Sequence, residues 1–379
     1  MDVEASQHGS PPTTTSSKTM QRLLVAINCV MLGLGVTGGQ ILSRLYFSKG
    51  GHRQWLSAWL QTGAWPLLLP PVVASYVRRR RQQRRDRIST TPAALLLTQT
   101  QPRILLSAAG IGLITGVSNL LYCWGLEFLP VSTSAILVST QLAFTVLFAF
   151  LVVRLRLTAA AANAVALLTV GAAVLALHVS SDRPAGVTRS QYWLGFALTL
   201  GAALLYGLFL PLVELTYKLW DAAGGCGAVT TTTYALVVEI QLVIGFVATA
   251  FCTVGMIVNK DFQAIPREAR QYELGEARYY TVLVWSAVLW QCFFLGAVGV
   301  IFCVHTLLAG ILIAVFIPVT EVAAVIFLHE KFSSEKGVAL VLSLWGLASY
   351  SYGEWSQARK AKKKREHAAA VEAQQPAAP

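Results

Sequence analysis

Apolar residues in this chain come in long unbroken runs, not in the alternating patterns of a half-buried strand or the stripes of a soluble helix. A bilayer core of about 30 Å needs roughly 20 such residues in a helix. Ten runs approach that length, near residues 23–43, 58–77, 104–126, 131–153, 158–178, 193–215, 229–258, 280–302, 306–328 and 337–354. The third and fourth are separated only by Glu127 to Pro130, with Pro130 as the helix breaker. The eighth and ninth meet as closely, around Cys303 to His305. The seventh is too long for one straight span. The stretch KDFQAIPREARQYELGEARYY after it mixes both charge signs and predicts a short surface helix.

The runs also repeat. GLEFLPVSTSAILVSTQLAFTVLFAFLVVRLR (125–156) has a distant copy in GVIFCVHTLLAGILIAVFIPVTEVAAVIFLHEK (299–331), so that Gly125 and Phe128 align with Gly299 and Phe302. After one inserted residue, Thr145 and Gly171 align with Thr320 and Gly346. Five spans per half return the chain on the opposite side, so the second half inserts upside down, a recurring transporter design. The expected fold is an all-α integral membrane protein of ten transmembrane helices in two inverted five-helix repeats. Residues 1–20 form a disordered cytoplasmic N-terminus, 21–178 and 179–355 the two repeats, and 356–379 a disordered basic cytoplasmic tail.

Composition agrees with this. Charged residues make up 13% of the chain and hydrophobic ones 55%, against about 25% charged in ordinary soluble domains. The net charge of +12 would suggest nucleic acid in a soluble protein. Here the basic residues sit in loops and the tail, so no nucleic-acid partner is expected, and RRRRQQRRDR (78–87) is read as a topology anchor at the lipid surface. Most of the 30 Lys and Arg fall on one side if the N-terminus is cytoplasmic, which places both termini there. No apolar segment precedes Leu23, which argues against a cleaved signal peptide. The six cysteines lack C-x-x-C spacing and are read as small buried residues, not as disulfides or metal ligands.

Polar groups inside the runs are the functional candidates, because hydrocarbon penalises them. No Lys or Arg lies inside a span, but Glu214, Glu239 and Glu321 do. Glu239 sits about 15 Å into the seventh span at the helical rise, and Glu321 follows Pro318, whose missing N–H loosens the helix. A carboxyl group held out of water takes up a proton more readily, so Glu239 and Glu321 are the expected proton-coupling residues. Gln40, Asn119, Gln141 and Gln291 bring amides into spans, and an amide matches the hydrogen-bonding edge of an adenine-like base. Tyr122, Phe144, Trp290 and Phe293 supply rings that stack on a flat molecule. Interhelical bonding by the amides and plain packing by the rings is the competing account of each. An intramembrane enzyme is disfavoured: H-E-x-x-H, G-x-S-x-G and aspartate-rich magnesium motifs are all absent from the sequence. A nucleotide-sugar carrier is disfavoured by the missing intramembrane cations.

The segments GGQILSRLYFSKGG (38–51), GLEFLPVSTS with STQLAFT (125–145), LPLVELTYK (210–218), VVEIQLV (237–243), WQCFFLGAVGVIFC (290–303) and PVTEVAAVIFLHEKFSSEKGVALVLSLWGLASYSYGE (318–354) together resemble the plant purine permeases, within the drug/metabolite transporter superfamily. The resemblance implies ten helices in two inverted halves and proton-coupled uptake, across the plasma membrane, of adenine-type bases and cytokinins by alternating access. Transport of alkaloids or vitamin B6 compounds is the alternative. It implies roles for Asn119, Gln141, Glu239 and Glu321, no cofactor, and partners limited to the small-molecule substrate, protons and the bilayer. Gln40 and the RLRLT segment (154–158) depart from the family pattern, the first of them at a position that bears on substrate preference.

Overall fold

Where backbone groups have no water to bond, a spanning segment must satisfy them within itself, and helix is what the chain forms. The computed structural model describes residues 14–86, 102–153, 159–177, 186–220, 231–303, 306–329 and 334–374, and no strand occurs among them. In chain order the helices are α1 (Thr14–Ser48), α2 (Gln54–Gly63), a 3-10 turn (Trp65–Leu68), α3 (Leu69–Asp86), α4 (Pro102–Phe128), α5 (Val131–Ser139), α6 (Gln141–Val153), α7 (Ala159–Leu177), α8 (Arg189–Trp220), α9 (Thr231–Val258), α10 (Asp261–Gln271), α11 (Glu276–Cys303), α12 (Thr306–Leu328) and α13 (Ser334–Gln374).

Among the described residues, five stretches are long and apolar enough to cross a membrane: Arg22–Ser48, Pro102–Phe128, Arg189–Tyr217, Val237–Val258 and Glu276–Ile301. They carry expected spans one, three, six, seven and eight. Shorter apolar pieces, Ile136–Val152 and Ala162–Gly171, lie where spans four and five were expected.

The second expected span is discontinuous. Pro66 opens the 3-10 turn, and Pro70 and Pro71 sit in the first turn of α3, where their missing N–H groups cost nothing. The fourth span tightens at Thr140, whose N–H and hydroxyl both bond the Leu137 carbonyl, at 3.1 and 2.6 Å. The seventh forms a single helix, α9, of which Val237–Val258 is the part long and apolar enough to cross a membrane. The expected surface helix is α10. The chain beyond Trp355, expected to be disordered, stays helical to Gln374, because its Ala, Lys and Glu residues are strong helix formers and no Gly or Pro interrupts them.

α1 lies along α11 and α12, α4 along α8 and α9, α6 on α8, and α7 on α13, while α2 packs among α4, α9 and α11. Two glycines allow close approaches between the halves. A Cβ at Gly125 would overlap the Thr199 hydroxyl of α8, and one at Gly299 would overlap the Asn28 amide of α1.

One end of the bundle is tied by polar contacts. Arg44 of α1 donates to the carbonyls of Leu126 and Glu127 at 2.7 and 3.2 Å, and the Gln54 amide bonds the Glu127 carboxylate. Arg53 lies between the buried carboxylates of α10, 3.3 Å from Asp261 and 3.6 Å from Glu268. The Tyr46 and Tyr279 hydroxyls both donate to Glu268. Burial pushes the Asp261 carboxyl above the usual range, against the opposing pull of Arg53 and Asn259.

Candidate functional site

The discontinuity in the second span brings an amide to the core. Ser57 and Gln61 of α2 are one turn apart and share a face, as do Asn119, Tyr122 and Cys123 of α4. α8 contributes Tyr206, five residues before Pro211, which lacks the N–H that would bond the Gly207 carbonyl. Where the three helices meet, the Tyr206 hydroxyl donates to Asn119 Oδ1 at 2.7 Å and lies 3.5 Å from Gln61 Oε1. Gln61 Nε2 donates to Cys123 Sγ at 2.9 Å, and the Cys123 thiol is 3.4 Å from the Ser57 hydroxyl. All five side chains are buried.

Gln141 enters the same region from the start of α6, its Nε2 donating to the Tyr206 carbonyl at 3.4 Å. Phe144, one turn further on, lies against Gly207 of α8. Tyr206 therefore joins two of the amides expected from sequence, Asn119 through its hydroxyl and Gln141 through its backbone.

A ring cluster adjoins this set. Tyr122 meets Trp290 edge to face at 5.9 Å, and Trp290 meets Phe293 at 5.5 Å. The indole N–H of Trp290 donates to the Ser43 hydroxyl at 3.0 Å, which fixes the ring. The absence of a side chain at Gly39 lets the ring lie on α1: a Cβ there would stand 3.0 Å from the indole.

Four groups in or beside this region are buried and lack a hydrogen-bond partner among the described residues: Gln40 Oε1, Asn119 Nδ2, the Tyr122 hydroxyl and Gln291 Nε2. Unpartnered polar atoms are uncommon in a packed interior, and each calls for a ligand, an ion or water. Asn119 and Tyr122 share the face of α4 that meets Trp290, and Gln40 and Gln291 adjoin Gly39 and Trp290 in the chain; the four offer both donors and acceptors with no cation among them, which is chemistry for a flat, uncharged, hydrogen-bonding heterocycle.

Of the remaining expected residues, Glu239 is buried in α9 between Val238 and Ile240 and is hydrogen-bonded or otherwise engaged. Glu321 is in α12, but its side chain lies outside the described residues. No group of three or more His, Cys, Asp and Glu suited to a metal occurs among the described residues. Gln61, Tyr206 and Ser43 were not singled out from sequence. Gln61 carried the same signal as Gln40, an amide inside an apolar run. Tyr206 and Ser43 carried none until their neighbours were known.

Comparison with known proteins agrees with this chemistry. The family model for purine nucleobase transmembrane transport matches residues 23–360. Purine permease 3 of Arabidopsis thaliana is 44% identical over 335 residues, 88% of this chain and 92% of that protein. Purine permease 2 of the same plant is 45% identical over 354 residues, 90% and 95% of the two chains. Probable purine permease 5 is 37% identical across 83% of this chain and 81% of its own length. One solved crystal structure superposes with a TM-score of 0.52 at 15% identity, covering 86% of this chain and 95% of the other, a likeness of fold alone.

Proposed function

The chain belongs to the purine nucleobase transmembrane transport family and is an integral membrane transporter, not an enzyme, and on that premise we propose that it imports adenine-type bases and cytokinins together with protons. The observation that carries the substrate class is the open amide N–H of Asn119 and the open Tyr122 hydroxyl at the Tyr122–Trp290 ring pair, with unpartnered Gln40 and Gln291 amide atoms on the residues next to Gly39 and Trp290. A purine offers ring nitrogens to the donors, an exocyclic amine to the acceptor, and a flat face to the aromatics.

Glu239 and Glu321 are the proposed proton carriers, Glu239 because it is a carboxyl group buried in α9 among Val237, Val238 and Ile240. Transport would follow alternating access: protonation removes the charge that keeps the loaded site wet, and the proton leaves on the cytoplasmic side with the base. The proposed setting is the plasma membrane, with both termini cytoplasmic.

Two inverted five-helix repeats supply the architecture for that motion. The packing supports them. Exchanging each span for its counterpart in the other half turns the α1–α11 pair into α8–α4 and the α1–α12 pair into α8–α6, and leaves α7–α13 unchanged. Gly125 and Gly299, aligned in sequence, each press on the first helix of the opposite half.

The test is uptake of labelled adenine by cells expressing the protein, at outside pH of about 5 and about 7, with trans-zeatin as competitor. Faster uptake in acid, blocked by the cytokinin, is expected. Uptake indifferent to pH overturns the proton coupling, and no uptake of any base or cytokinin overturns the substrate.

A further inference from the structure

Tyr206 has one hydroxyl proton and two oxygens near it. Asn119 Oδ1 stands at 2.7 Å and Gln61 Oε1 at 3.5 Å. The first distance is the centre of the O–H···O range and the second lies beyond it, so the proton goes to Asn119. A reversed Asn119 amide, donating N–H to the phenol oxygen, would settle at the longer N–H···O separation of about 2.9–3.0 Å and leave the hydroxyl only the 3.5 Å partner. Gln61 is turned the other way by its own bond from Nε2 to Cys123 Sγ at 2.9 Å. The oxygen of Asn119 is thus occupied, while its Nδ2 is buried and without a partner. The amide is therefore left with its donor alone to offer, not with the donor–acceptor edge that its residue type would provide.

We propose that Tyr206 is a positioning residue that holds the Asn119 N–H toward the substrate, making Asn119 a reader of an unprotonated ring nitrogen. Resting on the purine-transport reading, this narrows the substrate class: heterocycles with an in-plane lone pair at that point are accepted, and those with C–H or N–H there are rejected. Gln61, 3.5 Å from the same hydroxyl and bonded through its Nε2 to Cys123, has no part in the discrimination.

The test uses the full-length protein and competition by 1-deaza-, 3-deaza- and 7-deazaadenine against labelled adenine. In the unaltered protein one of the three competes about tenfold less well than adenine, the loss expected for one hydrogen bond to a buried donor. In Asn119→Ala that penalty disappears. In Tyr206→Phe, which keeps the ring but frees the amide to turn over, the penalty falls to about threefold or less. In Gln61→Leu it stays near tenfold. A purely structural Tyr206 would depress uptake of every purine in proportion and leave the ratio untouched, which overturns the proposal. Equal competition by all three analogues in the unaltered protein overturns it with no variant needed and leaves purine transport standing. Absence of adenine uptake at normal surface expression instead removes the purine reading on which it rests.

Discussion

Replacing Gly125 by alanine puts a Cβ into the contact between α4 and α8, where the Thr199 hydroxyl already stands. The Gly195 carbonyl oxygen would be 3.1 Å from it and Thr199 Cβ 3.2 Å. Overpacking of this kind costs about 1–3 kcal/mol. Thr199 Oγ1 is buried without a partner among the described residues, so Thr199→Ala removes an unsatisfied hydroxyl as well as a methyl. Those two effects oppose, and the substitution is expected to change stability by less than about 1 kcal/mol. Combined, the two substitutions leave contacts that a shift of a few tenths of an ångström relieves, so the pair should recover about 1–2 kcal/mol relative to additivity. The assay is unfolding of the purified protein in mixed micelles by titration with dodecyl sulfate, followed by tryptophan fluorescence, for both single variants and the double. Costs that add to within about 0.5 kcal/mol would refute the claim that this glycine sets the helix approach. The same cycle with Gly299→Ala and Asn28→Ala, in the other half, is expected to show coupling of the same sign.

Arg53→Ala strips the counter-charge from Asp261 and Glu268, and with Arg53 itself 35% exposed the loss is about 1–3 kcal/mol, less than for a fully buried pair. Arg53 is one of the groups holding the otherwise raised Asp261 carboxyl down, so its loss raises that carboxyl further and the variant loses more stability than the native protein as pH rises through the carboxylate range; the variant should therefore melt closer to the native protein in acid than at neutral pH, and a widening gap in acid would contradict this. Glu239→Gln and Glu321→Gln, made separately, should separate coupling from binding: the coupling residue is the one whose amide variant still exchanges labelled adenine for unlabelled but no longer accumulates it. If both termini are cytoplasmic, a thiol introduced by Arg267→Cys in α10 is labelled by an impermeant maleimide on intact cells while tags at either terminus stay protected; the reverse pattern would invert the assigned orientation.

The fold was legible to the extent that it is written in uninterrupted apolar runs. The tight turn before Pro130 lies where its sequence places it, because Pro130 has no N–H to carry α4 onward and its extended backbone instead leads into the first turn of α5. The interruption at Ala64 to Leu68 is legible in principle from Pro66, Pro70 and Pro71, but proline does not break an apolar run, so the run 58–77 passes through all three. The tightening at Thr140 was not legible, because no breaker marks it and the deciding bond, from its hydroxyl to Leu137, is local geometry. The site divides in the same way. Asn119, Tyr122, Gln141 and Trp290 stood out as polar or aromatic groups at similar depth, and the structure links Asn119 to Gln141 and Tyr122 to Trp290. Tyr206, which joins the two amides, is an ordinary aromatic by sequence. Its importance lies in which proton goes where, a matter of a few tenths of an ångström between helices distant in the chain. Tryptophans show the same limit: Trp285 and Trp345 are 56% and 66% exposed on the outer surface, whereas Trp290, five residues from the first, is 4% exposed and anchored to Ser43.

The most direct measurement places the purified protein in liposomes with a pH-sensitive dye inside and no other protein present. With the exterior at about pH 5.5 and the interior near neutral, adding adenine outside should acidify the lumen as the base accumulates, and a protonophore should abolish the accumulation. Adenine that accumulates without proton entry, or fails to cross at all, would contradict a site in which amides read the purine and a buried glutamate carries the proton.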